Sequence, residues 1–159
     1  MIDQEGYRPN VAFIIFNNEK KVFWAKRINQ ESWQFPQGGI NAKEMPEDAL
    51  YRELDEEVGL TKNDIKVIAK TSDWLKYDVP QKFLGKFWRN KYKGQKQIWF
   101  LLKFTGNESS INLNNSNKPE FDDWLWQDYW ATLDGVVSFK KEVYEKALNE
   151  LWPYLESNA

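Results

Sequence analysis

The segment from Gly38 to Leu60, which reads GGINAKEMPEDALYRELDEEVGL, carries the strongest structural signal in the chain. It predicts a glycine turn followed by a helix over about residues 46–58, since a proline and two acidic residues suit the first turn of a helix and a glycine suits its C-terminal cap. At about 100° per residue, the side chains of Glu53, Glu56 and Glu57 fall within an arc of about 100° on that helix. Neighbouring carboxylates repel one another, and a divalent cation would offset the repulsion. The pattern therefore predicts a metal site.

The aliphatic residues of the same helix indicate where these carboxylates lie. Leu50, Leu54 and Val58 recur every four residues and form a stripe beside the glutamates rather than opposite them. The glutamates are therefore expected at the edge of the buried side, where a cleft can form. The alternative interpretation is an acidic helix with one face in solvent, which is common for glutamate-rich segments.

The spacing of the whole segment resembles the signature of the Nudix hydrolases, Gx5Ex7REUxEExGU, where U is a bulky aliphatic residue. The matching residues are Gly38, Glu44, Arg52, Glu53, Leu54, Glu56, Glu57, Gly59 and Leu60. Because each specified residue type occurs at roughly 5 to 7 % of positions, a chance match has a frequency below about one in a million. The resemblance implies an α/β (α+β) fold, a Nudix-type α/β/α sandwich with a mixed β-sheet, formed by residues 1–159 as a single domain.

The resemblance also implies roles for residues of this signature. The metal ligands would be Glu53, Glu56, Glu57 and the carbonyl oxygen of Gly38. Arg52 and Glu44 would hold the helix and its glutamates in orientation. A surface ion pair without a functional role is the competing interpretation for these two residues.

The composition agrees with metal-dependent chemistry in a folded protein. The chain has 159 residues, of which 42 % are hydrophobic and nine are tryptophan, so it suits one folded domain rather than a disordered chain. It contains no cysteine and no histidine, which excludes disulfides, a thiolate nucleophile and the commonest general base. Carboxylate and other oxygen ligands remain, and they suit hard cations such as Mg²⁺ or Mn²⁺. Hydrolysis of a phosphoanhydride by a metal-activated water is then simpler than a covalent route.

The N-terminus and the hydropathy predict the compartment. The first ten residues, MIDQEGYRPN, lack the basic and apolar regions of a signal peptide. No apolar run approaches the length of about 18 residues that a membrane helix needs. The sequence therefore predicts a cytoplasmic protein with no membrane segment. It leaves the oligomeric state open, with a monomer as one option.

The charge of the chain is uneven, although the net charge is only −2. No acidic residue occurs from Val79 to Asn107, and the basic residues there are Lys82, Lys86, Arg89, Lys91, Lys93, Lys96 and Lys103. They are interleaved with the aromatic residues Phe83, Phe87, Trp88, Tyr92 and Trp99. Such a stretch can follow a phosphate chain and stack bases. The alternative is a solvated basic loop beside a strand.

Hydrophobic periodicity predicts the remaining elements. The predicted strands cover residues 10–16, 21–27, 33–36, 65–70, 73–79, 97–104 and 121–127, and the first two form a hairpin. A C-terminal helix is predicted from Phe139 onward, since apolar residues recur there every four positions, and Pro153 should limit it. The asparagine-rich stretch 106–118 is too long for a simple turn and is either a mobile flap or a tolerated insertion.

Five further segments resemble the RNA pyrophosphohydrolase branch of the Nudix family, which is closely similar to the dinucleoside polyphosphate hydrolases. They are GYRPNV at 6–11, SWQFPQGGI at 32–40, GQKQ at 94–97, PEFD at 119–122 and VVSFK at 136–140. The match covers nearly the whole chain and weakens in the asparagine-rich stretch and at the end. It implies removal of pyrophosphate from 5′-triphosphorylated RNA, which leaves a 5′-monophosphate and initiates mRNA decay. The implied cofactor is Mg²⁺ or Mn²⁺, with two or more ions when substrate is bound.

This resemblance also implies residues outside the helix. Glu120 would be a further metal ligand and a candidate base for the attacking water, while Arg8 and Arg27 would face the phosphates and the RNA. The nucleotide near the 5′ end would be bound by Ser32, Tyr77, Val137, Phe139 and Lys140. For Tyr77 and Phe139 a place in the hydrophobic core is an equal alternative, because large rings bury readily.

Two other functions stay open. The stretch from Tyr77 to Gly94 resembles the dinucleoside tetraphosphate hydrolases equally well, and Asp78 places an acid beside the expected nucleotide pocket. A dinucleoside polyphosphate is therefore the alternative substrate. The other function is that of a binding module that kept the fold and lost catalysis. Such a module would have little reason to retain the repulsion among the three glutamates.

Overall fold

The computed structural model describes residues 2–85 and 91–159. The strands are β1 (Tyr7–Phe16), β2 (Lys21–Arg27), β3 (Trp33–Gln34), β4 (Gln37–Gly39), β5 (Ile65–Lys70), β6 (Leu75–Asp78), β7 (Gly94–Phe104) and β8 (Phe121–Asp128). The helices are α1 (Pro46–Glu53), α2 (Thr132–Gly135) and α3 (Lys141–Asn158), and a π-helical turn, Leu54–Val58, continues α1. Single 3₁₀ turns occupy Lys62–Asp64, Gln81–Phe83, Glu108–Ser110 and Ser138–Lys140. None of the helices in the described residues has the length and apolar character needed to cross a membrane.

The strands of the described residues form one mixed sheet. Its central path runs β3-β2-β1-β7-β5, while β4 pairs with β1, β6 with β7 and β8 with β2. β1 and β7 are parallel, from Tyr7 opposite Gly94 to Phe16 opposite Lys103. The other pairings are antiparallel. The short strand β4 lies beside the first half of β1, with Gly38 opposite Val11.

The two faces of the sheet bury separate cores, because side chains of a strand alternate between its faces. Ile14 and Phe16 of β1 belong to the core that α3 covers. Phe13 and Ile15 belong to the core that α1 covers. The sheet therefore lies between α1 and α3, and the predicted α/β/α sandwich with a mixed sheet is confirmed.

The predicted strands are largely confirmed. β5 covers the predicted residues 65–70, and β1 and β2 form the predicted antiparallel hairpin. β1 begins three residues before its apolar run, because its parallel pairing with β7 extends over polar residues at both strand starts. The predicted segment 33–36 forms only the two-residue strand β3, and β4 follows as a separate strand.

The prediction that Pro153 limits the C-terminal helix is wrong, since α3 continues to Asn158. Pro153 lies on the exposed side of α3, where its missing N–H removes a single helical hydrogen bond. Leu155, two residues later, is fully buried. Its packing against the core favours continuation of the helix beyond the proline.

The asparagine-rich stretch 106–118 lies against the π-helical turn. The backbone N–H of Asn112 donates to the carbonyl of Val58 at 2.7 Å, and Asn115 Nδ2 donates to the carbonyl of Asp55 at 2.8 Å. Two of its aliphatic residues pack against the core on the α1 side. These contacts favour a fixed insertion over a flap.

Candidate active site

Three glutamates converge where α1 passes into the π-helical turn. Glu53 ends α1, and Glu56 and Glu57 lie in the turn. Each offers one carboxylate oxygen, and these oxygens lie within 4.8 Å of one another. Glu53 and Glu57 are 7 % and 6 % exposed, and Glu56 is half-buried. The arc predicted from the sequence assumed a regular α-helix, whereas Glu56 and Glu57 lie in a wider π-helical turn. Such turns are frequent at functional sites.

Burial makes the carboxylates of Glu53 and Glu57 costly to ionise. Burial and then the charges of Glu120 and Glu53 raise the pKa of Glu57 to about 8, against an opposing hydrogen bond from the backbone N–H of Glu120. Burial also raises the pKa of Glu53, while its contact with Arg52 opposes the shift. Within the described part of the chain, Glu57 Oε2 is buried without a hydrogen-bond partner. A buried, unpartnered carboxylate oxygen among like charges fits a divalent cation.

Replacing Glu57 by glutamine is expected to stabilise the metal-free protein, because it removes a buried charge that repels its neighbours. Since the pKa of Glu57 is raised by folding, the gain is absent below about pH 4, grows with pH and is complete above about pH 8. We expect about 1 kcal/mol at pH 8.5, or a melting temperature about 2–4 °C higher, measured by scanning calorimetry in EDTA. Glu145→Gln, on the exposed side of α3, is the control and should leave the melting temperature unchanged. Destabilisation by Glu57→Gln at this pH would contradict the expectation.

The two glycines of β4 lie between the glutamates and a basic residue. A Cβ atom on Gly38 would overlap the carboxylate of Glu53, and one on Gly39 would come within 2.6 Å of Arg8 Nη2. Glycine therefore allows the backbone of β4 to lie directly against both side chains. Any larger residue at 38 would displace the carboxylate of Glu53.

Arg52 connects α1 to β4 and to the loop between them. Its guanidinium donates to both carboxylate oxygens of Glu44, from Nε at 2.8 Å and from Nη2 at 2.9 Å. It also donates to the carbonyl of Gly39 at 2.7 Å and to Oε1 of Glu53 at 2.8 Å. The hydrogen bond from Arg52 lowers the pKa of Glu44, and the same contact raises the pKa of Arg52. These four bonds favour an orienting role over an isolated surface ion pair.

Replacing Arg52 by lysine is expected to lower hydrolytic activity by about 10- to 100-fold, the usual effect of losing a residue that orients metal ligands. An ammonium group lacks the planar fork that serves Glu44, Gly39 and Glu53 together. Steady-state kinetics should show the loss in kcat. The matched control is Lys146→Ala, which breaks the exposed ion pair with Glu142 on α3 and should leave kcat unchanged. Activity of Arg52→Lys within twofold of wild type would favour the surface ion pair.

Glu120 lies beside the three glutamates rather than among them. It directly precedes β8, its side chain is exposed, and its carbonyl accepts a hydrogen bond from the N–H of Ile28 at 2.8 Å. It is not part of the group whose oxygens lie within 4.8 Å of one another in the described residues. Its charge is nevertheless the second cause, after burial, of the raised pKa of Glu57.

The three glutamates line a cavity of about 910 Å³, a volume that can hold a nucleotide. The residues expected from the sequence that line it are Gly38, Glu53, Glu56, Glu57, Glu120, Arg8, Arg27, Ser32, Tyr77, Val137, Phe139 and Lys140. Arg52 does not line the cavity, but it donates hydrogen bonds to Glu53 and Gly39, which do. Sequence reasoning missed Ser116, Asn117 and Lys118, which bring the asparagine-rich stretch to the cavity.

One part of the cavity wall is organised around Lys140. This side chain is 7 % exposed, and its Nζ donates to Oε1 of Gln34 at 3.3 Å and of Gln37 at 3.2 Å. Burial, followed by the charge of Arg27, lowers the pKa of Lys140 to about 8. Gln37 Nε2 donates in turn to the hydroxyl of Tyr77 at 3.1 Å. The sequence analysis did not predict a role for either glutamine. Their position on either side of Phe35 and Pro36 was the signal that the sequence offered.

The core alternative holds for the ring of Tyr77, which is 6 % exposed and belongs to the core on the α3 side. Phe139 is half-buried and packs against that core, with its ring centroid 6.0 Å from that of Tyr77. Asp78 lies between Tyr77 and Val79, which both line the cavity, and is not itself part of the cavity wall. Its exposed carboxylate accepts a hydrogen bond from the hydroxyl of Tyr7 at 2.6 Å.

Not every ring of the basic, aromatic region lies at the surface. Trp99 is fully buried in the core and is not available to stack a base. Lys96 lies 5.0 Å from the ring of Trp74, and Lys82 lies 5.2 Å from the ring of Phe83. The residues of this region that lie outside the described residues are Lys86, Phe87, Trp88 and Arg89.

A mixed sheet between two helical layers, with clustered glutamates at the end of α1, defines a Nudix fold. A family model described as NUDIX domain matches residues 6–147. The chain therefore belongs to the Nudix family and is a hydrolase that acts on phosphoanhydride bonds. Members of this family generally use divalent metals and act on nucleoside polyphosphates, which agrees with the acidic cluster.

Solved structures share this fold. An Ap4A hydrolase from C. elegans in a binary complex is 16 % identical, with a TM-score of 0.68 over 94 % of this chain and 98 % of that one. The dihydroneopterin triphosphate pyrophosphohydrolase of E. coli is 17 % identical, with a TM-score of 0.66 over 91 % and 98 %. A Nudix hydrolase from Listeria monocytogenes is 22 % identical, with a TM-score of 0.66 over 94 % of each chain. At these identities the likeness shows the fold alone.

Proposed function

We propose that the chain is a Mg²⁺- or Mn²⁺-dependent RNA 5′ pyrophosphohydrolase. It converts a 5′-triphosphate end to a 5′-monophosphate and releases pyrophosphate, a step that would initiate decay of an mRNA. The observation that carries the proposal is the cavity, which joins the glutamate cluster to the wall built around Lys140. The glutamates suit a divalent cation that would bind the polyphosphate of the substrate, and the buried Lys140 with its two glutamines suits a nucleotide.

The glutamate cluster fits a divalent metal. The residues that would hold it are Glu53, Glu56, Glu57, Glu120 and, through its carbonyl oxygen, Gly38. The unpartnered oxygen of Glu57 and the close approach of β4 to Glu53 support this set. When bound, the ion neutralises phosphate charge and makes the phosphorus more open to attack by water. With substrate present we expect two or more ions.

The side chains around the cluster orient the reacting groups. Arg52 holds the carboxylate of Glu53 in place. Arg8, whose guanidinium lies against Gly39, and Arg27 line the cavity and face the phosphates. The exposed carboxylate of Glu120, beside the cluster, accepts the proton of the attacking water at one of its oxygens.

The nucleotide is held by Lys140 and the residues near it. An ammonium group has three N–H donors, and Lys140 gives two of them to Gln34 and Gln37. Within the described residues the third donor has no hydrogen-bond acceptor, so it can serve an oxygen of the base or phosphate. The other residues of this pocket are Ser32, Tyr77, Val137 and Phe139. The half-buried ring of Phe139 offers a face to the base.

A dinucleoside polyphosphate is the second candidate substrate. The stretch 77–94 resembles hydrolases of that class, and the structurally similar C. elegans protein is an Ap4A hydrolase. The same cluster would cleave the same kind of bond. The two candidates differ in what continues from the nucleotide, either an RNA chain or a second nucleoside across the phosphates.

A substrate panel tests the proposal. Purified protein with Mg²⁺ or Mn²⁺ is incubated with 5′-triphosphorylated RNA and with diadenosine tetraphosphate, and pyrophosphate and nucleotides are quantified. We expect release of pyrophosphate from RNA, with a higher kcat/KM for RNA than for diadenosine tetraphosphate. Cleavage of the dinucleotide alone would transfer the assignment to the second candidate. No cleavage of any substrate with either ion would favour a binding module.

A further inference from the structure

Phe83 is an exposed aromatic residue of the cavity wall that has no role in the proposed function. It ends the 3₁₀ turn Gln81–Phe83, where its N–H donates to the carbonyl of Pro80 at 2.9 Å. The side chain lines the cavity and is 59 % exposed. An isolated exposed aromatic residue needs no explanation, but this ring continues a row of rings that begins in the core.

The row consists of Tyr77, Phe139 and Phe83. The ring centroids of Tyr77 and Phe139 are 6.0 Å apart, and those of Phe139 and Phe83 are 5.7 Å apart, with interplanar angles of 35° and 41°. Exposure rises from 6 % at Tyr77 to 59 % at Phe83. Proteins that bind single strands stack successive bases on aromatic side chains spaced along a groove.

A chain of contacts connects the glutamates to Phe83 through the nucleotide pocket. Gly38 lies against Glu53, and its neighbour Gln37 donates to the hydroxyl of Tyr77. Tyr77 contacts Phe139, and Phe139 contacts Phe83. A substrate with its phosphates at Glu53 and its first bound base at Phe139 therefore meets Phe83 next.

The charge beside the ring suits a nucleic acid. Lys82 Nζ lies 5.2 Å from the centroid of the Phe83 ring. The sequence has no acidic residue from Val79 to Asn107. A cation next to a stacking ring attracts the phosphate that joins two nucleotides.

We propose that Phe83 stacks on the nucleobase that follows the one held against Phe139, so that the cavity binds RNA beyond its 5′-terminal subsite. The inference rests on the proposed RNA pyrophosphohydrolase function. In RNA the next base lies on the side of the first base away from the triphosphate, and along the chain of contacts from the glutamates Phe83 follows Phe139. In a dinucleoside polyphosphate the second base lies across the phosphates, so it would reach the opposite side of the glutamates.

The test measures kcat/KM for 5′-triphosphorylated substrates of one to four nucleotides. For wild type, kcat/KM should increase at the substrate length whose last nucleotide reaches Phe83. For substrates of that length or longer, Phe83→Ala should lower kcat/KM about tenfold more than it does for shorter substrates. The decrease should result from a higher KM. Phe83→Trp should keep the rise, because any aromatic face can stack. Tyr154→Ala removes a ring of similar exposure on α3, outside the cavity, and serves as the control.

The outcomes separate this inference from the function on which it rests. Pyrophosphate release with an equal loss at every length, or with no loss, overturns the role of Phe83 and leaves the proposed function standing. An equal loss with diadenosine tetraphosphate overturns the role of Phe83 as a subsite specific for the next RNA base, whereas the RNA assignment is decided by the substrate panel. No release by wild type from any RNA removes the proposed function and this inference with it.

Discussion

Glu53→Gln is expected to lower phosphoanhydride hydrolysis by about a thousandfold or more, in kcat, with the fold intact. Glu53 is the buried member of the cluster that contacts both β4 and Arg52. Glutamine keeps the shape of the side chain but removes the negative charge that a metal ligand supplies. The measurement is pyrophosphate release from triphosphorylated RNA at saturating Mg²⁺.

The matched control is Glu47→Gln, on the same helix. Glu47 is exposed in the first turn of α1 and does not line the cavity. It should retain nearly full activity. If Glu53→Gln keeps more than about a tenth of the wild-type kcat, a role for Glu53 as an essential ligand is wrong.

Gly38→Ala is expected to lower kcat by about a hundredfold without changing any charge. The added Cβ would overlap the carboxylate of Glu53, so either the carboxylate or the backbone of β4 must move by an ångström or so. A displacement of about 1 Å in a reacting constellation costs about this factor. The kinetic measurement should be accompanied by a melting curve, to show that the variant is folded.

Gly85→Ala is the control for this substitution. A Cβ there meets no atom of the described residues within 4 Å, and Gly85 lies outside the cavity wall. Its activity should match that of wild type. Full activity of Gly38→Ala would show that the close approach of β4 to Glu53 has no catalytic consequence.

The strands and helices were predictable from local sequence patterns, whereas the topology was predicted only through the resemblance to the Nudix family. The Nudix-type signature occupies one continuous segment, and apolar runs such as 65–70 mark strands directly. The π-helical turn was not predictable, since it shifts hydrogen bonds by one residue and leaves no separate mark in the pattern. The continuation of α3 past Pro153 depends on burial of Leu155, which is a tertiary effect.

The part of the candidate site that lies within one helix was predictable, and the part that depends on distant residues was not. The three clustered glutamates follow from the spacing within one helix. Gln34 and Gln37 were missed because their partner, Lys140, is more than 100 residues away along the chain. Trp99 was counted among possible base platforms because its burial depends on which strands flank β7.

The glutamates at the end of α1 are expected to bind a divalent cation for phosphoanhydride hydrolysis. Isothermal titration calorimetry with Mn²⁺, in the presence of a nonhydrolysable nucleotide analogue, measures this binding. We predict saturable binding by wild type that Glu57→Gln weakens by at least about tenfold. Absence of binding by wild type, or equal affinity in Glu57→Gln, would contradict this expectation.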